Sequence, residues 1–187
     1  LAAHMDEVGF LITYLTEEGL LKFTTVGGID SRVYIGKPVR IQTAARPVAG
    51  VIGGKAVHQS TKEEQEQPLT ADKLYSGIFA ADRADALSRL APGDAACFAS
   101  GFLPFGDGCI KGKALDDRVG CALLLQLLEE EFTPEYDRVL AFTVQEETGG
   151  AGACTAAFRT APDCAIVVDV TTAADLPGVS PESQVCR

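Results

Sequence analysis

Two apolar runs with a helical stretch between them set the limits on what this chain can fold into. Arg138 to Val144 reads as a buried strand, Ala151 to Thr160 as an alanine-rich helix, and Cys164 to Val170 as a second buried strand. Strands that are apolar on both faces need cover on both faces, so the order strand, helix, strand implies a parallel sheet with helices on either side. Ahead of these runs Asp117 is placed to cap a helix through Val119 and on to Leu128, with Pro134 beyond its end. That helix is apolar nearly all round and is expected to be buried. Leu1-Ala2-Ala3-His4-Met5-Asp6 reads as the end of another buried strand. The N-terminal strand and the C-terminal third therefore belong to one α/β layer structure.

Between them the grammar differs. Val8 to Leu15, Leu20 to Val26, Arg32 to Ile35, Val39 to Thr43 and Val48 to Ile52 are short apolar or alternating runs, separated by glycine and proline turns. Leu74 to Phe79, Ala95 to Ala99 and Cys109 to Lys111 add further strands, and Ala81 to Leu90 carries a helical period ended by Pro92-Gly93. Lys55 to Thr70 is polar and is expected to be a solvated mobile loop. The expected architecture is an α/β domain made of residues 1–7 and 112–187, interrupted by a β-barrel-like insert over residues 8–111.

Composition narrows the function. With 47% hydrophobic and 22% charged residues over 187 positions, the chain can bury a core, and intrinsic disorder is excluded. A formal net charge of −10 argues against a nucleic-acid partner. No apolar run approaches the roughly 18 residues that a membrane span needs. The six cysteines form no C-x-x-C pair and are expected to be buried free thiols, which points to the cytoplasm. Both ends look cut, so the sequence is expected to be a fragment of a longer polypeptide.

The chemistry gathers where strands end. Val139 to Val144 runs into Gln145-Glu146-Glu147, Ala165 to Val168 into Asp169, and Leu1 to Ala3 into His4 and Asp6, while Asp116 and Asp117 precede a helix. Ligands of open α/β sheets bind outside the carboxyl ends of the strands. Any one of these acids alone reads as a cap or a solvated turn. Several converging on one imidazole would repel one another unless cations neutralise them, and divalent metal is the natural counter-charge. Gly149-Gly150-Ala151-Gly152 lacks the Gly-Lys-Ser/Thr ending of a phosphate loop and reads as a tight strand-to-helix turn.

Ala3-His4-Met5-Asp6-Glu7-Val8-Gly9, Gly112-Lys113-Ala114-Leu115-Asp116-Asp117-Arg118, Val144-Gln145-Glu146-Glu147-Thr148-Gly149 and Val168-Asp169-Val170-Thr171 through Asp175-Leu176-Pro177-Gly178 resemble, in order, the signatures of one family. It is the glutamyl aminopeptidase family of dinuclear metallopeptidases, which includes the tetrahedral (TET) aminopeptidases. Gly50 to Lys55 and His58 resemble that family's inserted domain. The resemblance implies two divalent ions per subunit, with zinc, cobalt and manganese all compatible with the donors. It implies His4 and Asp169 on one ion, Glu147 on the other, Asp116 bridging, Glu146 as general base and Asp6 orienting His4 through its second ring nitrogen. It also implies a cis peptide between Asp116 and Asp117. The family's second metal-binding histidine has no match here, because His58 falls in the insert, and a chain lacking it is expected to be inactive alone.

The function expected from this is release of N-terminal amino acids from peptides by an aminopeptidase. The insert would mediate association into homo-oligomers, from dimer to dodecamer. A weaker expectation sends Lys62 to Gln67 toward a neighbouring subunit's active site. Two other classes stay open. Relatives have carried cellulase labels and two acids can cleave a glycosidic bond, although the chain has no tryptophan for sugar stacking. A non-catalytic interaction module is the third.

Overall fold

A short strand, β1 (Ala2–His4), gives way at once to a run in which apolar side chains alternate with polar ones, the pattern of strands with one buried face. The computed structural model describes residues 1–67, 69–130, 133–173, 177–178, 180 and 182, Val57 by its backbone only. Two units are distinguished, Leu1–Glu7 with Ala114–Arg187, and Val8–Lys113.

Six strands of the second unit close a barrel: β2 (Gly9–Leu15), β3 (Leu21–Val26), β4 (Pro38–Gln42), β5 (Val48–Gly53), β6 (Tyr75–Gly77) and β7 (Ala95–Phe98). Their order around the barrel is β2-β3-β6-β5-β4-β7, and all pairs are antiparallel. Phe10, Ile12, Leu21, Phe23, Val39, Ile41 and Ile52 point inward. Phe10 meets Phe23, Tyr34 and Phe98 edge-on, with ring centroids 5.1, 5.9 and 5.0 Å away. Closure leaves no free sheet edge. Replacing the fully buried Ile41 with alanine is expected to cost about 2–5 kcal/mol, read as a lower urea midpoint with an unchanged slope.

Three expectations for this unit change. Arg32 to Ile35 is not a strand: Ser31–Val33 forms a 3-10 turn because the Asp30 carboxylate accepts the Arg32 backbone N–H, and only Tyr34 turns into the core. The polar stretch is not all loop. Lys62–Glu66 forms helix α1, which starts in a capping box between Thr61 and Glu64. The Lys55 ammonium lies 2.8 Å from the Glu64 carboxylate. Pro68 lies outside the described residues. Helix α2 (Arg83–Arg89) follows where the period placed it. A hairpin of β8 (Leu103–Phe105) and β9 (Cys109–Lys111) then turns through Gly106 and Gly108, both left-handed. Its first strand was not expected, since a proline at its centre argues against a strand.

In the first unit α3 (Leu115–Glu129) leads to β10 (Ala141–Thr143) and then α4 (Ala151–Thr160). Strand β1 pairs in parallel with β10, Ala3 opposite Phe142. Its other edge meets residues 166–168: the Ala2 N–H donates to the Ile166 carbonyl and the Val168 N–H to the Ala2 carbonyl, at 2.9 and 2.8 Å. Ala3, Cys121 and Leu124 form the core, with Leu1, Leu140, Phe142 and Val168 packed against it. The architecture is mixed α/β with a barrel inserted into it. Burial is narrower than expected. Helix α3 buries one stripe and leaves Leu123, Leu125 and Leu128 exposed, and the 164–170 run has Val167 at 68% exposure. The described residues supply cover for one stripe of the helix and not for the rest.

Of the six cysteines, five are free, yet only Cys121 is buried; Cys186 lies outside the described residues, as do Asp175 and Leu176 of the fourth motif. Among the described residues no helix is long and apolar enough to cross a membrane.

Candidate metal centre

The site is built at the carboxyl ends of the parallel strands. His4 is the last residue of β1, Glu146 and Glu147 follow β10, and Asp169 follows the bridged segment beside β1. Asp116 and Asp117 lie where the chain enters α3; both have non-helical dihedrals, and the peptide between them is cis.

Asp117 is fully buried and plays two parts. Its Oδ1 accepts the Gly120 N–H at 3.0 Å, which caps the regular part of α3, and its Oδ2 accepts the His4 N–H at 3.2 Å. The Cys121 thiol donates to the His4 carbonyl at 3.1 Å, and burial together with the Asp117 charge pushes that thiol's pKa up. The main chain of His4 is thus held from the helix side. The sequence places Asp117 as a helix cap and, with Asp116, as a carboxylate at the edge of the site; its bond to the His4 backbone is what the structure adds. A second acid beside Asp116, just where α3 begins, was the available signal.

The imidazole is 4% exposed. Its Nε2 lies 3.1 Å from Asp116 Oδ1, 3.7 Å from Asp169 Oδ1 and 3.9 Å from Glu146 Oε2. Its Nδ1 lies 3.2 Å from the Asp6 carbonyl oxygen and 3.4 Å from Asp6 Oδ1. Burial disfavours the charged ring, but the carboxylates of Asp169, Glu146 and Asp116 outweigh it and raise the pKa of His4. Glu147 is half-buried; burial, then the charges of Asp116 and Glu146, raise its pKa. The His4 shift is set by the surrounding negative charge, whereas at Glu147 burial leads and that charge adds to it.

Donor atoms of His4, Asp116 and Asp169 all lie within 4.8 Å of one another, a spacing one cation could serve. Glu147 is not one of these three. Glu146 Oε2 lies on the Nε2 side of the imidazole with Asp116 and Asp169, and Asp6 lies on the Nδ1 side. His58 is exposed in a 3-10 turn of the barrel unit. The Gly149-Gly150 turn is left-handed at both glycines and leads into α4. A Cβ added at Gly152 would fall 2.0 Å from the Val144 carbonyl oxygen, so a side chain there would force the helix off β10.

One imidazole among hard carboxylate oxygens suits zinc, cobalt or manganese. Fold and site together define the class: a mixed α/β protein with a cluster of one imidazole and several carboxylates, spaced so that it could hold a cation, at the carboxyl edge of its sheet. The chain belongs to the M42 glutamyl aminopeptidase family, whose family model matches residues 1–186. A relative from Acetivibrio thermocellus, itself named only provisionally as an aminopeptidase, is 40% identical over 185 residues, 99% of this chain and 53% of its own length. The TET aminopeptidase of a marine-sediment Thaumarchaeota archaeon superposes with a TM-score of 0.93 at 32% identity, covering 100% of this chain and 54% of that one. The Pyrococcus horikoshii TET1 peptidase, which assembles into a tetrahedron or a large octahedral shell, matches at 34% identity and a TM-score of 0.81, over 94% of this chain and 55% of that one. The chain spans about half the length of the curated relatives it matches.

Proposed function

We propose that the protein of which this chain forms part is a metal-dependent aminopeptidase that releases N-terminal residues from peptides. The observation that carries the reading is the meeting of His4, Asp116 and Asp169 donor atoms within 4.8 Å, in a chain of this family. His4 and Asp169 would hold one ion and Glu147 a second, with Asp116 shared between them. When bound, such ions supply Lewis acidity toward a peptide carbonyl and lower the pKa of water toward about 7. Glu146 is the general base: its Oε2 faces the centre, takes a proton from the attacking water and returns it to the departing amine. Asp6 stands on the Nδ1 side of the imidazole. Residues 1–7 and 112–187 belong to the catalytic domain, and residues 8–111 to an insert through which subunits associate; that subunits associate at all is supported by the shells of the Pyrococcus relative. The free cysteines support a reducing, cytoplasmic location.

The test is chelation of the complete polypeptide. Dialysis against a chelator should abolish release of amino acids from a panel of peptides, and zinc, cobalt or manganese should restore it. Metal-independent cleavage of β-glucan would instead establish a glycoside hydrolase, and inertness on both substrates an interaction module.

A further inference from the structure

His4 ends β1 and Glu146 lies in the turn beyond β10, and one side chain joins the two segments. We propose that Asp6 is a positioning residue for Glu146, acting through the backbone of the turn that carries it; the inference rests on the role given to Glu146 above. Asp6 Oδ1 accepts the Glu146 N–H and Oδ2 the Glu147 N–H, each at 3.3 Å. The imidazole's nearer partner on this residue is the main-chain carbonyl at 3.2 Å, with Oδ1 3.4 Å away. The carboxylate is therefore committed chiefly to the turn.

That turn needs holding. Strand β10 ends at Thr143, so no ladder extends to the pair. Gln145 has a φ of 64°, the left-handed region that side chains other than glycine rarely adopt. On the carbonyl side the turn is closed by the Gly150 N–H donating to Gln145 and the Gly149 N–H donating to Glu146, at 2.8 and 2.9 Å. On the N–H side Asp6 is what holds it, and successive N–H groups in a turn form a natural seat for an anion. Because Asp6 lies two residues beyond His4, the same strand end presents a metal ligand and anchors the base near it. A general base displaced by a fraction of an ångström loses its reach.

In the complete holoenzyme Asp6→Asn keeps the shape but turns an amide NH2 toward one of the two N–H groups. Turnover (kcat) should fall about 10–100-fold, the usual scale for a residue behind a metal centre, with KM and metal content unchanged. Hydrogen exchange at the Glu146 and Glu147 amides should quicken by about tenfold or more, while the His4 amide, bonded to Asp117, keeps its rate. Unchanged kcat, unchanged exchange, or loss of metal in step with turnover each overturns the proposal; the last would mean that Asp6 acts through His4 alone. The wild type gives a check that needs no variant: both amides must exchange more slowly than in an unstructured peptide, and exchange at that rate also overturns it. If the wild type releases no amino acids, the role of Glu146 falls, and the exchange rates still decide whether Asp6 anchors the turn.

Discussion

Glu146→Gln in the complete polypeptide is expected to lower peptide turnover by about 10²–10⁴-fold, the range that general acid–base catalysis supplies, while metal content and KM stay at wild-type values. Glutamine fills the same volume and keeps the backbone N–H that Asp6 Oδ1 accepts, so the turn is undisturbed. What it lacks is a basic oxygen to take a proton. The carboxylate has 45% of its surface exposed and lies 3.9 Å from His4 Nε2, close enough to share the centre and open enough to meet a water and a peptide. Metal per subunit by atomic emission, measured beside kcat, separates base from ligand. Wild-type turnover would remove Glu146 from the chemistry, and coupled loss of metal and turnover would make it a ligand.

Asp117→Ala should have the largest effect on stability. It strips the acceptors from the His4 and Gly120 N–H groups, both buried, at about 1–3 kcal/mol each. The expected loss is then about 2–6 kcal/mol, read in urea denaturation. Asp117→Asn keeps one acceptor oxygen and should lose about half as much. Gly120→Ala probes the same contact from the helix, since its Cβ would lie 2.4 Å from Asp117 Oδ1. A change below about 1 kcal/mol for Asp117→Ala would mean that water replaces the carboxylate, which a buried site does not allow.

Local signals made much of the fold legible. The barrel strands were readable because inward residues such as Phe10 and Ile12, or Val39 and Ile41, alternate with outward ones, and a period of two belongs to an extended chain with one buried face. Arg32 to Ile35 misled because four mixed residues carry no period, and the deciding contact is the Asp30 cap on Arg32. The capping box of α1 was present as Thr61 and Glu64, but it was hidden in a polar stretch with no apolar face. The apolar runs of α3 and residues 164–170 were read as buried because hydrophobicity reports what a segment requires. It does not report how much cover the described chain provides.

At the site, the sequence alone determined the residue types and their places at strand ends: one imidazole, several carboxylates, and a pair of acids before a helix. Those follow from order along the chain. Only tertiary structure decided which of them meet, because parallel pairing of β1 with β10 and with residues 166–168 brings together groups separated by more than a hundred positions. It likewise assigned Asp117 to the His4 backbone and the Asp6 carboxylate to the Glu146 turn. Hydrogen bonds of that kind depend on distances of a few tenths of an ångström between remote segments, and no local pattern encodes them.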